Sequence, residues 1–153
     1  MQMAASLASE SSDGVDRIAE LACSLANEAP ETAYALAELA LAPWIAGHAW
    51  DSAIAALELF TCAAPDFPPA IVRLVEVAVD ADRFDIADRA QEMLAAAYLA
   101  TGEIAEALHI AQDLHERDPR NPRYDALFQR ARQASRQAPA HDEGVIVPMR
   151  AAR

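Results

Sequence analysis

The chain has 153 residues, and its 24 acidic side chains outnumber the 12 basic ones, all of them arginine, so that the formal net charge is −12. Apolar residues make up 54% of the sequence, which is enough to bury a core and excludes wholesale disorder. Two cysteines are too few for a disulfide framework, and the length is typical of one domain.

The first two predicted helices are separated by a proline. Residues 1–12 are small and polar and are predicted to form a flexible tail. Apolar residues spaced three and four apart then predict a first helix that ends before Pro30. A second helix is predicted over 31–42, with a kink or a stop at Pro43, because the proline ring clashes with the carbonyl of Leu39.

The third and fourth helices flank a proline-rich break. Asp51 is placed to cap the third helix by accepting a hydrogen bond from a free backbone N–H group. Residues 70–79 are rich in β-branched side chains, and a buried strand is the alternative there. Arg73, Glu76 and Asp80 recur at steps of three and four, which is the spacing of one helical stripe, so we predict a helix.

Three further helices complete the predicted domain. They run over 84–100, ending at Gly102, over 104–117, and from the proline after the cap residue Asn121 to about residue 137. Residues 138–153 are predicted to form a flexible tail that contains the apolar stretch Val145–Met149. The chain is therefore predicted to be all-α, with about seven antiparallel helices in a helical-repeat domain over residues 13–137.

Two stretches of the sequence, 44–68 and 98–122, are alike. Each has a glycine turn, a helix with small residues on its packing side, and a proline before the next helix. Ala53 and Ala107 fall where two helices would cross closely, and a larger side chain would separate them. A helix pair of about 34 residues that cannot bury its own apolar face must stack on its neighbours, which predicts a solenoid.

The second stretch carries a family pattern. The spacings of Leu94-Ala95, Tyr98, Gly102, Ala107 and Asp118-Pro119 match the tetratricopeptide repeat, which this part of the chain therefore resembles. The family resemblance implies a short right-handed α-solenoid.

The resemblance is weaker over residues 38–66, where the turn around Gly47 has one extra residue and Pro43 stands at the position of the family's aromatic residue. Altogether it covers roughly residues 33–122. Two repeat frames conflict, since 84–100 is the second helix of a pair in one frame and the first in the other. Either the solenoid has an irregular joint near Asp82, or the helices form a compact bundle with repeat-like turns.

The family resemblance also implies a function. Tetratricopeptide arrays bind a segment of another protein along a concave groove, so the chain is expected to be an adaptor or scaffold. The mixed acidic and apolar groove residues imply a partner segment that is apolar with some basic residues. The groove residues implied by the two frames are Tyr34, Glu38, Leu41, Trp44, Arg73, Glu76, Asp80, Arg89 and Glu92. An alternative is a small acidic cytoplasmic chaperone of a bacterial secretion system, a class that the chain resembles in size, charge and repeat number.

Catalytic and metal-binding patterns are missing from the sequence. It has no glycine-rich phosphate loop, no paired cysteines at metal-ligand spacing and no helical histidine pair, and its carboxylates are spread along exposed faces. We therefore expect neither an enzyme nor a cofactor or metal. A membrane span and a secretory signal are not expected either, and Cys23 and Cys62 are interpreted as buried reduced thiols, which together suggest the cytoplasm.

Positive charge is concentrated in the last predicted helix. Residues 117–137 carry six Arg and two Asp, whereas the body before them is strongly acidic. An acidic body repels nucleic acid, so nucleic acid is not the expected main partner, and the basic residues are interpreted first as a polar capping helix. A docking site for an acidic partner, a nucleic-acid-linked regulator and a homo-oligomer remain alternatives. The residues of this basic patch are Arg120, Arg123, Arg130, Arg132 and Arg136.

Overall fold

Seven α-helices and no strand make up residues 2–137, which are the part of the chain that the computed structural model describes, with side chains from residue 14 onward. The helices are α1 (Gln2–Leu25), α2 (Pro30–Ala46), α3 (Trp50–Ala63), α4 (Pro68–Asp80), α5 (Phe84–Thr101), α6 (Ile104–Arg117) and α7 (Pro122–Gln137). Each helix packs against the next one along the chain, and in addition α1 packs on α3 and α5 on α7. The predicted all-α stack is confirmed, and the alternative strand at 70–79 is excluded because those residues lie in α4.

The N-terminal helix starts earlier than the sequence predicts. Residues 1–12 were expected to be a tail, but α1 begins at Gln2. The segment contains Met, Ala, Leu, Gln and Glu, which are good helix formers, and no proline interrupts it, so the helix continues past Gly14 toward the N-terminus. The predicted tail at 138–153 lies outside the described residues.

Of the two alternatives predicted at Pro43, a kink or a stop, the stop is excluded, because α2 continues for one more turn to Ala46. A proline inside a helix removes one hydrogen bond, here the bond to the carbonyl of Leu39. The last turn is held instead by two later bonds, in which Gly47 N–H donates to the carbonyl of Pro43 over 3.0 Å and Ala49 N–H donates to that of Trp44 over 2.8 Å.

Three of the turns have the same geometry. Each contains one residue in the left-handed conformation, with φ of 55° at His48, 56° at Asp82 and 89° at Gly102. The next N–H then donates over 2.8 Å to the carbonyl five residues earlier, from Ala49 to Trp44, from Arg83 to Ala78 and from Glu103 to Tyr98. This is the Schellman ending of a helix. His and Asp tolerate the left-handed conformation better than most residues, so glycine is needed at only one of the three turns.

The positions of these left-handed turns change the alignment of the two similar stretches, 44–68 and 98–122. When His48 is aligned with Gly102, Trp44 takes the position of Tyr98, and Ala53 the position of Ala107. The extra residue expected around Gly47 disappears, and the aromatic position is occupied by Trp44 rather than by Pro43. The aromatic residue was missed because Gly47, which is not left-handed, was aligned with a left-handed glycine.

The repeating unit contains three helices. Helices α3 and α6 are 14 residues each and begin at positions 50 and 104, which are 54 residues apart. The same offset relates Pro68 at the start of α4 to Pro122 at the start of α7, and Pro30 at the start of α2 to Phe84 at the start of α5. Because an odd number of helices lies in each copy of an alternating stack, the second copy is reversed. Helix α5 thus matches α2 in sequence but α3 in direction, which explains the two conflicting repeat frames.

The core is divided into three clusters along the stack. Phe60 centres the cluster between α1, α2 and α3, and the middle cluster contains Leu57, Leu74 and Leu94. The third cluster joins α5, α6 and α7 around Leu114. Alanines with little or no exposed surface line all three clusters, and they allow the helices to cross closely.

Ala53 and Ala107 test this close packing because neither has any exposed surface. Ala107→Leu should lower the free energy of unfolding by about 1–3 kcal/mol, since the larger side chain overpacks the crossing. Ala53→Leu should have a similar effect at the equivalent position. Urea denaturation measures both, with the exposed Ala105→Leu as the control on the same helix. Wild-type stability of both buried variants would contradict the close crossing.

An alanine at Gly102 or at Gly14 would cause no steric clash, because a Cβ atom at either position meets no atom within 4 Å. A change in stability at these positions therefore reports the backbone conformation. Gly102→Ala should lower the free energy of unfolding by about 1–2 kcal/mol, because alanine disfavours the left-handed conformation. Gly14→Ala, inside α1, should raise it by about 0.5–1 kcal/mol. Thermal denaturation shows whether each substitution lowers or raises the free energy of unfolding. A change in the same direction for both variants would overturn the assignment of a left-handed turn at Gly102.

Candidate functional site

A cleft of about 430 Å³ lies between α2 and α4, which both pack on α3. It is near the end of the stack where even-numbered helices begin and odd-numbered helices end. Its walls therefore combine the first turns of α4 with the end of α5. The lining residues are Tyr34, Pro68, Pro69, Val72, Arg73, Glu76, Tyr98 and Glu103.

The start of α4 gives the cleft an apolar wall. Pro68 and Pro69 begin this helix, where a proline costs nothing because the first N–H groups have no partner within the helix. Val72 and Glu76 follow at steps of three and four from Pro69, so they lie on the same face of α4. One face of a single helix thus supplies apolar contact and a carboxylate.

Arg73 is held between two carboxylates in this cleft. Its guanidinium donates to Glu76 Oε2 over 2.9 Å, and its Nε atom lies 3.4 Å from Glu38 Oε1 on α2. The second contact is an ion pair without a hydrogen bond, although both atoms are buried from solvent. The hydrogen bond with Glu76 raises the pKa of Arg73, against the opposing effect of burial. Arg73 thus joins α4 to α2 across the cleft.

Tyr34 forms the aromatic end of the cleft. Its ring packs edge-on against Phe60 at 6.0 Å and against Phe67 at 5.6 Å between centroids. Burial raises the pKa of the Tyr34 hydroxyl, and the neighbouring Glu38 carboxylate raises it further. The hydroxyl therefore stays neutral under conditions in which a free tyrosine ionises.

The structure brings together four of the nine predicted groove residues. Tyr34, Arg73 and Glu76 line the cleft, and Glu38 pairs with Arg73 beside it. Leu41 does not belong to the groove, because it is 1% exposed and lies in the central cluster. The family resemblance implied that it faces the groove together with Tyr34, but packing against the neighbouring helices covers that part of the face.

The other four predicted groove residues lie elsewhere. Trp44 lines a second cleft of about 550 Å³ with residues of α1 and α3, and Asp80 is exposed at the far end of α4. Arg89 pairs with Glu58 of α3 at 3.6 Å, in a third cleft that also contains Cys62. The half-buried Glu92 lies where its charge affects Tyr124 of α7. The predicted groove combined two frames, and the reversed repeat directs these residues to different surfaces.

Two expectations about single residues are also corrected. Cys62 is exposed rather than buried, because α3 presents it on the side away from Phe60, whereas Cys23 is partly buried. Asp51 is not a cap, because α3 begins one residue earlier at Trp50, and Asp51 pairs with Arg83 in the α4–α5 turn over 2.5 Å.

Five residues of the cleft were not predicted. Pro68 and Pro69 were interpreted as part of the proline-rich break, Val72 only as part of the predicted fourth helix, and Tyr98 as part of the repeat pattern. Tyr98 and Trp44 both stand four positions before a left-handed turn, but Trp44 lines the second cleft, so this equivalence did not point to the α2–α4 cleft. No signal in the sequence pointed to Glu103.

The basic residues of the last helix do not form one stripe. At roughly 100° per residue, Arg123 and Arg130 lie on one side of α7, and Arg132 and Arg136 on the other. Arg132 stacks over the Phe128 ring with 5.6 Å to its centroid, and Arg120 precedes the helix. All five are exposed, and within residues 14–137 none of them forms an ion pair.

Comparisons with known proteins give no identification. No family model matches the chain, and neither a curated protein nor a solved structure matches it. Over the described helices, none is both long enough and apolar enough to cross a membrane. No cluster of three or more potential metal ligands occurs in that same part of the chain.

The raised pKa of Tyr34 predicts a pH dependence. Because the folded pKa lies above the unfolded value of about 10, the stability gained from the neutral hydroxyl is present below pH 10 and is lost as the pH rises above it. Tyr34→Phe should therefore lose less stability than wild type in this alkaline range. Urea denaturation across the range, together with tyrosinate absorbance, measures the difference. If tyrosinate absorbance shows that the tyrosine lost in Tyr34→Phe has the ordinary pKa of about 10, the burial of this hydroxyl is contradicted.

Proposed function

We propose that the protein is a non-enzymatic interaction module that binds a segment of another protein in the cleft between α2 and α4. The observation that carries this proposal is the combination of apolar and aromatic walls with a charged group that is already fixed. Tyr34, Val72 and Tyr98 offer apolar contact, while Arg73 is held by two glutamates before any partner arrives. A preorganised surface loses less conformational entropy on binding.

The charge of the cleft defines the chemistry of the partner segment. Glu38, Glu76 and Glu103 outnumber Arg73, and Glu103 forms no ion pair with any residue of 14–137. A segment with apolar side chains and one or two arginines or lysines would therefore complement both the apolar walls and the negative charge of the cleft. This is the partner expected of a tetratricopeptide-like adaptor or scaffold.

The same geometry gives little support to an enzymatic role. The residues that line the cleft include no histidine, cysteine, serine or threonine to act as a nucleophile or as a base near neutral pH. Its carboxylates Glu38 and Glu76 are engaged with Arg73, which favours a structural and recognition role for them.

The test uses two charge reversals on one helix. Glu76→Arg changes the cleft, and Asp80→Arg makes the same change on α4 outside it. The tagged full chain and both variants capture partners from the native cytosol at physiological salt, with nuclease-treated and untreated samples. We expect a stoichiometric protein to be retained by wild type and by Asp80→Arg. Its affinity for Glu76→Arg should be at least about tenfold lower, measured by calorimetry with the purified partner.

Circular dichroism of both variants controls for folding, because neither exposed side chain belongs to the core. Equal affinity of the partner for all three proteins would place the binding site outside the cleft. Partners that disappear after nuclease treatment would instead transfer the function to the arginines of the last helix.

A further inference from the structure

The C-terminal end of α7 lies on the side of the stack where the cleft opens. Since consecutive helices alternate in direction, α7 ends at the same end of the stack as α5. Helix α7 packs directly on α5, whose Tyr98 lines the cleft close to the α5–α6 turn. Packed helix axes lie about 8–10 Å apart, so α7 ends beside the helix that supplies one wall of the cleft.

The residues that follow have the chemistry expected of an occupant. Residues 145–149 are Val, Ile, Val, Pro and Met, and arginines follow at 150 and 153. An apolar stretch followed by two positive charges complements the cleft, which has apolar walls, Glu76 and Glu103 in its lining, and Glu38 beside it, against the single Arg73. It also has the composition that the proposed function requires of a partner.

The connecting chain is long enough. Seven residues, 138–144, separate α7 from the apolar stretch, and they can span at most about 23–25 Å. That length exceeds one interhelical distance of about 8–10 Å and covers two. The second cleft, beside Trp44, is formed by α1, α2 and α3, which are the first three helices in the stacking order, whereas α7 is the last. The α2–α4 cleft, to which α5 contributes Tyr98, is therefore the nearer of the two to α7.

We infer that residues 145–153 of the chain itself occupy the α2–α4 cleft when no partner is bound. This inference rests on the proposed function, and it adds regulation to the same site. A short linker gives an attached segment an effective concentration in the millimolar range, so even weak contacts fill the cleft. A partner segment then binds only by displacing residues 145–153, and its apparent affinity is its intrinsic affinity multiplied by the fraction of molecules in which the cleft is open.

The test compares two substitutions in the full-length chain. Val147→Asp places a charge inside the apolar stretch, and Ala140→Asp places the same charge outside it. We expect Val147→Asp to change the NMR amide shifts of Val72, Arg73 and Tyr98 relative to wild type, and Ala140→Asp to leave them unchanged. Identical shifts for both variants would overturn the inference, as would changes confined to residues around Trp44. Shifts that depend on protein concentration would show exchange between molecules and would contradict occupation within one chain.

A synthetic peptide of residues 145–153 completes the test. It should bind Val147→Asp at least about tenfold more tightly than wild type and restore the wild-type shifts, because the intact chain already fills its own cleft. Equal binding to both proteins would show an accessible cleft, so the inference would fail while the proposed function stands. If the peptide binds neither protein, the inference fails, and the comparison of Glu76→Arg with Asp80→Arg decides the proposed function separately.

Discussion

Close approach of helices through alanine is the constraint on which the rest of this structure depends. Alanine occupies 38 positions, and it lines all three core clusters, whereas few large side chains are fully buried. A buried methyl group removes little apolar area from water, so stability has to come from many short contacts between backbones that lie close together. No single helix can obtain such contacts alone, and each one is therefore stabilised by its neighbours in the stack.

The turns convert this packing into a defined topology. One left-handed residue in each of three turns ends a helix and reverses the chain within a few residues, which makes neighbouring helices antiparallel. Because the repeat contains three helices, its second copy is reversed, and the two copies present different surfaces. In the second copy α5 packs on α7, and Arg117 pairs with Asp88 of α5, whereas in the first copy a cleft separates α2 from α4.

Electrostatics gives that cleft its character. The chain is strongly acidic, and an isolated arginine between two helices would be attracted to many carboxylates. Pairing with both Glu38 and Glu76 fixes the position of Arg73 and leaves an excess of negative charge around apolar walls. The same feature underlies both proposals, since a partner segment and residues 145–153 would compete for one surface by the same chemistry. Affinity at this cleft would then depend on the difference between two similar occupants.

The sequence by itself determined the number of helices, most of their boundaries and the likeness of residues 44–68 to 98–122, because helical periodicity, prolines and Gly102 act locally. It failed at the N-terminal tail, where good helix formers extend α1, and it left open whether α2 kinks or stops at Pro43, where later hydrogen bonds continue the helix. Tyr34 and Leu41 show why the site was only half found: they share one face of α2, yet one lines the cleft and the other is in the core. Only the tertiary structure decided this, since Tyr34 and Glu103 line one cleft through the stacking of the three helices between them, and periodicity describes one helix at a time.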